Sequence, residues 1–451
     1  MRNFLLLLSF LLFIQNVICQ PESNLSSIDK EKTITWLKQN AIPIQSLKSG
    51  NSFNDLMAMK NVLQDVQIIG LGEATHGTKE FFQMKHRMIE FLVKELGFKI
   101  LAMEFNYLGA ENINNYILNG KGDVYSALRS QGLMVWNTEE IIEMLEWLRN
   151  YNQTVSDDKK VIVKGLDTRC NYLGDNFIII SDYFKKVDPK NAEQTDSLLK
   201  TMKKMDQGLT QGINVDSSKN EFLKLLSSLI IRRGDFIQQS SSEDFENILE
   251  RMKIIGQNLC LNYVKIDDQR ELYYEKIRLR DYYMASNVMD LIQKNSGKKV
   301  IIWAHNMHIA KTDPQETENI KMLGNYLKES FGDKYYSIGF SFDKGSFQTF
   351  EYSDDRKPLG MQEFIVKDEH PNTIDWYMSQ TGINPFIINF RLDEIPNFMQ
   401  IFLDSKLLTR RIGGEAIRSR VEMMNGFCIL SHTYDGLIFI YHTTRAEPLE
   451  Q

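Results

Sequence analysis

The chain has 451 residues, 43% of them hydrophobic and 25% charged, a balance that suits a folded core and excludes a disordered or fibrous chain. Its length exceeds one ordinary core, so one large domain with an insertion or a second domain is expected. The net charge of −6 is spread along the chain and gives no electrostatic reason to expect nucleic acid as a partner.

Residues 1–19 read as a signal peptide. Arg2 precedes the apolar run Phe4–Ile14, too short to span a bilayer. Val17 and Cys19 sit where small residues precede a cut, leaving Gln20 first and the mature chain exported, periplasmic or extracellular. The alternative is a loose lipobox that lipidates Cys19, for which Val17 and Ile18 are poor neighbours. No later stretch is long and apolar enough for a membrane helix. Cys170, Cys260 and Cys428 remain, an odd and widely spaced set without CxxC. That is neither a disulfide framework nor a cysteine zinc site.

Ile34–Leu47 reads as a short helix broken before Pro43, and Phe53–Leu63 carries apolar residues at helical spacing. Residues 66–76, Val-Gln-Ile-Ile-Gly-Leu-Gly-Glu-Ala-Thr-His, then begin with a short apolar run, the mark of a strand buried on both faces in a parallel sheet. The run stops at Glu73 and His76. Thr78 can cap a helix to Leu96 with Phe81, Phe82, Met84, Met88, Phe91, Leu92 and Leu96 as its inward stripe, and Gly97 stops it. Lys99–Glu104 is a second strand, so strand, helix and strand make a βαβ unit. Helices near 109–118 and over Thr138–Tyr151 precede a third strand, Lys160–Asp167.

Between 188 and 275 the β signal vanishes and apolar residues recur every three or four positions, as in a helical cap. A helix from Arg270 to Lys294 leads to a fourth strand, Lys298–His305. The tail is β-rich: Tyr335–Phe342, Gln348–Tyr352, Phe386–Arg391 and two strands around Cys428 and Phe439. The expected class is α/β, a mainly parallel central sheet flanked by helices. Its core is 20–187 with 276–334, its cap 188–275, and 335–451 either completes the sheet or forms a small α+β subdomain.

Four strands therefore end in polar chemistry: Glu73/His76, Glu104, Asp167/Arg169 and His305/His308. Parallel neighbours place these ends on one edge, where ligands bind in open α/β sheets. The chemistry offered is acid–base. An imidazole can take a proton from water while a carboxylate fixes its tautomer, and a second imidazole, His305 or His308, can serve the leaving oxygen or an oxyanion. Lys85 and His86 are adjacent on the following helix and point about 100° apart, so both are not expected in the site. Arg280 and Asp281 stand before the fourth strand, as site residues or as a solvated ion pair. A serine hydrolase would show GxSxG, which is absent. The spacings Glu73-x-x-His76 and His305-x-x-His308, with Glu104, could also clasp a divalent ion, and spacing alone leaves metal-bound and metal-free hydrolysis balanced.

Gly72-Glu-Ala-Thr-His-Gly77 followed by Glu80-Phe-Phe82 and Glu104-Phe105 resembles the erythromycin esterase family. So do Trp136-Asn-Thr-Glu-Glu140, Gly165-x-Asp167, Arg280-Asp281-x-x-Met284-Ala285-x-Asn287 and Trp303-Ala-His-Asn-x-His308. The marks are in order and span about 66–310. The resemblance implies an α/β core under a helical subdomain and opening of a macrolide lactone, or a related ester, without metal or other cofactor. In that picture His76 is the base for water and Glu73, Glu104 and His305 complete the catalytic set. His308, Lys85, Arg280 and Asp167 bind substrate, with Lys85 where the family often has arginine. An exported member would meet envelope or extracellular esters instead of ribosome-targeting drugs.

Overall fold

A computed structural model describes residues 28–169, 173–312 and 320–450. The expected signal peptide, its Cys19 alternative and Cys170 lie outside these residues. Among the described residues twelve strands follow in chain order: β1 (Ile42–Pro43), β2 (Ile68–Leu71), β3 (Phe98–Asn106), β4 (Ile162–Asp167), β5 (Lys299–Trp303), β6 (Tyr335–Tyr352), β7 (Pro358–Val366), β8 (Phe386–Asn389), β9 (Leu407–Arg410), β10 (Glu415–Ile417), β11 (Asn425–Cys428) and β12 (Gly436–Thr443).

All four residues of β2 are buried, because the strand is enclosed by parallel neighbours and by a layer on each face. Ile68 faces Val300 of β5 on one side and Tyr335 of β6 on the other. The main path of the sheet is β1-β8-β12-β6-β2-β5-β3-β4. From β12 to β4 every pairing is parallel, and β8 and β1 join antiparallel. Side chains alternate across this sheet as a period of two requires. Ile69, Leu71, Leu101 and Met103 belong to the apolar layer that contains the helices Lys79–Leu96 and Glu139–Thr154. Ile68, Ile100 and Ala102 belong to the opposite layer, with the helices Gln269–Lys294 and Leu323–Phe331.

Three local readings change. The first helix is Lys30–Asn40, and the chain is already extended at Ala41 and pairs as β1, since the residue before Pro43 is pushed out of the helical region. The runs Tyr335–Phe342 and Gln348–Tyr352 are one strand of 18 residues, β6. Asp343-Lys-Gly345 resembles a turn in sequence, yet a Cβ on Gly345 would lie 2.1 Å from the Thr443 carbonyl oxygen, so the glycine admits a neighbouring strand. The far half of β6 carries β7 antiparallel and β10 parallel, whereas β9 and β11 form a separate ribbon.

The helices Asn176–Val187, Ala192–Asp206, Val215–Ile231 and Ser242–Asn262 share a third apolar cluster of their own. The first of them was assigned to the core from sequence, but Phe177, Ile180 and Phe184 pack with this helical layer. The layer is fastened over the carboxyl ends of β3 and β4. Asn258 Nδ2 donates to the Thr168 carbonyl at 3.0 Å, and Arg251 pairs with Glu111 at 2.6 Å.

Candidate active site

Glu73 to Thr78 form the turn between β2 and the helix Lys79–Leu96, and backbone contacts from several distant segments fix it. The Glu73 carbonyl accepts from Asn306 N–H at 2.9 Å, the Ala74 carbonyl from Ile412 N–H at 3.0 Å, and the Gly77 carbonyl from Gln348 and Ala446 N–H. The glycines are required by close approach. A Cβ on Gly72 would lie 2.2 Å from Asn306 Oδ1, and one on Gly77 would lie 2.0 Å from the Gln348 carbonyl oxygen. Gly77→Ala is therefore expected to destabilise the chain by about 1–3 kcal/mol, because backbone must shift to admit the methyl group. Urea denaturation checks this, and an unchanged midpoint would show that the turn has slack.

Within this turn Glu73 Oε1 lies 2.6 Å from His76 Nδ1. Glu73 Oε2 accepts from Lys85 Nζ at 2.6 Å and from Trp303 Nε1 at 2.9 Å. Nδ1–H thus donates to the carboxylate, and the lone pair of a neutral His76 ring is on Nε2. Among the described residues Nε2 makes no hydrogen bond, and the His76 side chain keeps 11% of its surface exposed. Lys85 is fully buried, 4.5 Å over the Trp303 ring. Burial pushes its ammonium down to about 8, with Glu73 opposing. His86 faces away, toward Glu90 at 3.6 Å and the Trp147 ring at 5.8 Å.

A second group is centred on Arg280. Its Nη2 donates to Glu104 Oε1 at 2.5 Å and to Asp167 Oδ2 at 2.7 Å, and its Nη1 lies 2.7 Å from His308 Nε2. His308 Nδ1 lies 2.8 Å from Asp281 Oδ1, which also accepts the Leu323 backbone N–H. Burial works against charge on His308, but Asp281 and Glu104 outweigh it and raise its pKa to about 9. Burial alone would raise Glu104 and Asp167, yet both are held below the usual carboxylate range, Glu104 by His308 and Arg280 and Asp167 by Arg169 and Arg280. Arg280 keeps 11% of its side-chain surface and Arg169 keeps 49%, whereas Glu104 and His308 keep only 4%.

His305 joins the two groups, and both its nitrogens are engaged by backbone. Nδ1 accepts from Met307 N–H at 3.2 Å, and Nε2–H donates to the Ile412 carbonyl at 3.1 Å. Burial, with His76 and His308 nearby, holds the ring neutral. Its centroid is 5.1 Å from that of His76. The backbone N–H of His305 donates to Glu104 Oε2 at 2.9 Å.

All eight residues singled out from sequence are thus brought to one edge of the sheet. His305, one of the two imidazoles expected to serve the leaving oxygen or an oxyanion, has both ring nitrogens taken by backbone groups. Sequence reasoning placed two contributors in no role, Trp303 and the Ile412–Gly414 segment, and left Asp281, which lies 2.8 Å from His308 Nδ1, between a site residue and a solvated ion pair. Asp281 had a signal, a carboxylate beside Arg280, but the helix Gln269–Lys294 carries polar residues on every side and no apolar stripe shows which face turns inward. Among the described residues no three His, Cys, Asp or Glu side chains converge as metal ligands. Of the donors weighed for a metal, Glu73 is engaged by Lys85, Glu104 by Arg280 and His305 by backbone groups, whereas His76 Nε2 makes no hydrogen bond among the described residues.

Comparison with known proteins agrees with this architecture. The chain is 26% identical to erythromycin esterase type II of Escherichia coli over 405 residues, 82% of this chain and 94% of that protein. A crystal structure of a Bacillus cereus protein superposes with a TM-score of 0.79 at 25% identity, covering 94% of this chain and all of that one. The crystal structure of a succinoglycan biosynthesis protein shares the fold, with a TM-score of 0.77 at 23% identity over 93% of this chain and 98% of that one. The erythromycin esterase family matches residues 93–443, which include Glu104, Asp167, Arg280, His305 and His308, and the chain belongs to that family.

Proposed function

We propose that the protein is a hydrolase of carboxylic esters or lactones in which His76 activates water and no metal takes part. The observation that carries this reading is the state of His76: Nδ1 is held by Glu73, and Nε2 makes no hydrogen bond among the described residues, on a side chain that keeps 11% of its surface. Water adds to the carbonyl carbon as Nε2 takes its proton. The tetrahedral oxyanion faces the exposed part of Arg280, whose charge is fixed by Glu104 and Asp167. The C–O bond then breaks, and the imidazolium returns its proton to the leaving oxygen. His305 acts through its neighbours as a positioning residue. Macrolide lactones are the first substrates to test, given the E. coli relative.

The test is mass spectrometry of a macrolide and simple-ester panel incubated with residues 20–451. A gain of one water by a lactone, or release of a free acid from an ester, is expected. No product from any member of the panel would remove the reading.

Lys85 gives this mechanism a basic limb. Loss of its proton leaves Glu73 without a buried cation, so turnover is expected to fall as pH rises through about 8. Stability runs the other way. The folded pKa lies below the ordinary lysine value of 10.5, so the folded chain sheds this proton first and grows more stable with pH between about 8 and 10.5. Lys85→Arg keeps its charge and is expected to move the activity limb upward. A pH–rate profile with an unmoved limb assigns it to another group.

The fold of the succinoglycan biosynthesis protein, together with the N-terminal apolar run, supports a second substrate for the same chemistry: acyl esters on an exported polysaccharide. Release of carboxylic acid from an acylated polysaccharide, with macrolides untouched, decides for it.

A further inference from the structure

Arg410 ends β9 and leads directly into Arg411–Gly414, the wall of the candidate site. It is 3% exposed, and three buried carboxylates surround it: Asp343 on β6, Glu369 after β7 and Asp375 on the helix Ile374–Ser379. Glu369 Oε1 lies 2.8 Å from Arg410 Nε. Asp375 accepts from the Arg410 backbone N–H at 2.9 Å, from Thr409 Oγ1 at 3.2 Å and from Ser341 Oγ. Asp343 turns its carbonyl to Arg410 Nη2 at 2.9 Å, and its Oδ1 accepts the Glu369 N–H at 3.2 Å.

The remaining charges stand at the rim. Glu422 is half exposed, 3.9 Å from Arg410 Nη1. Lys344 and Asp368 pair with each other at 2.9 Å, and His370 is exposed and gives only its backbone N–H to Glu369. Among the described residues Arg410 is the buried cation of this cluster, with its guanidinium on the Glu369 carboxylate, its backbone N–H on Asp375 and the backbone carbonyl of Asp343 against it. One guanidinium cannot balance three carboxylates in a low-dielectric interior, so the cluster retains a proton.

The wall that Arg410 supports stands against two of the site's three imidazoles, His76 and His305. Ile412 N–H donates to the Ala74 carbonyl at 3.0 Å, and its carbonyl receives His305 Nε2–H. A methyl group built on Gly414 would lie 3.5 Å from the His76 ring. We propose that a proton held by the buried carboxylate cluster around Arg410, on Glu369 or Asp375, locks the wall segment Arg411–Gly414 against the His76 turn, and that losing it releases the wall. The proposal rests on the hydrolase reading only for its consequence in turnover.

Burial, then Asp375, pushes Glu369 up to about 7, and burial raises Asp375 and Asp343 as well. A carboxyl with a raised folded pKa binds its proton more tightly when folded. The support is therefore complete below the unfolded value of about 4.5 and is lost as pH rises through about 7. The proton belongs to the pair, not to one residue.

The test is amide hydrogen exchange at Arg411 and Ile412, corrected for intrinsic pH dependence, in wild type, Glu369→Gln and Asp375→Asn. Protection in wild type is expected to fall about tenfold or more between about pH 6 and pH 8, and to stay flat in either variant that folds. A flat wild-type profile overturns the proposal, as does a slope that persists in a folded variant. If neither variant folds, wild type labelled with 13C-Glu decides. Its protonated-carboxyl infrared band must fade over the same pH range as the protection, and a mismatch overturns the proposal. Turnover is not the readout, so a wrong substrate leaves this test intact.

Discussion

His76→Ala is expected to lower kcat by about 10²–10⁴-fold, the range a positioned general base contributes, while the folded chain persists. The variant removes one ring that makes a hydrogen bond to Glu73 and an edge contact with Trp136, at a centroid distance of 5.3 Å. Glu73 still receives Lys85 and Trp303, so its buried charge is not abandoned. The two measurements belong together: kcat on whichever ester or lactone is cleaved, and the urea midpoint. Near-wild-type kcat would remove His76 from the base role. A collapse of both quantities would make it structural.

Arg280→Met is expected to act on stability first, by about 3–5 kcal/mol, because removing one partner of a buried ion pair abandons the others. Here two carboxylates lose their shared cation. Asp167 is fully buried and Glu104 is 3% exposed. Part of that loss should return in Arg280→Met with Glu104→Gln, which removes one of the stranded charges.

The pH dependence gives this prediction its sign. In wild type the depressed pKa values of Glu104 and Asp167 supply stability above their unfolded values, and it is lost as pH falls through the folded ones. In the variant burial is no longer opposed by Arg280, so the carboxyls prefer their protons and the deficit shrinks on acidification. Denaturation at about pH 7 and about pH 4.5 checks this. A deficit that widens at the lower pH would mean that Arg280 is not the charge that holds these carboxylates ionised.

The two variants also separate the halves of the site. His76 and Glu73 arise from one turn, so their pairing is local and was legible in the spacing Glu73-x-x-His76. Arg280 reaches Asp167 from 113 residues later and Glu104 from 176 residues later. Nothing in the sequence assigns it one carboxylate or the other. The adjacency of Lys85 and His86 limited the site to one of them. The sheet then chose Lys85, because the opposite side of that helix is covered by the segment that carries Asp55 and by the helix Glu139–Thr154.

The sequence by itself determined the four parallel strands, their polar endings and the family. Runs such as Val66–Leu71 and Lys298–Trp303 are apolar without alternation, which a strand tolerates only when both faces are buried, and such strands end together at one edge. Tertiary structure alone decided which imidazole nitrogen is free. His76, His305 and His308 look equivalent as strand-end histidines, yet among the described residues the second ring nitrogen of His76 has no hydrogen-bond partner, that of His305 has the Ile412 carbonyl and that of His308 has Arg280. Ile412 lies 107 residues beyond His305 and enters from a β ribbon outside the main sheet. Hydrogen bonding across such separations is set by how segments pack, and spacing along the chain carries no record of it.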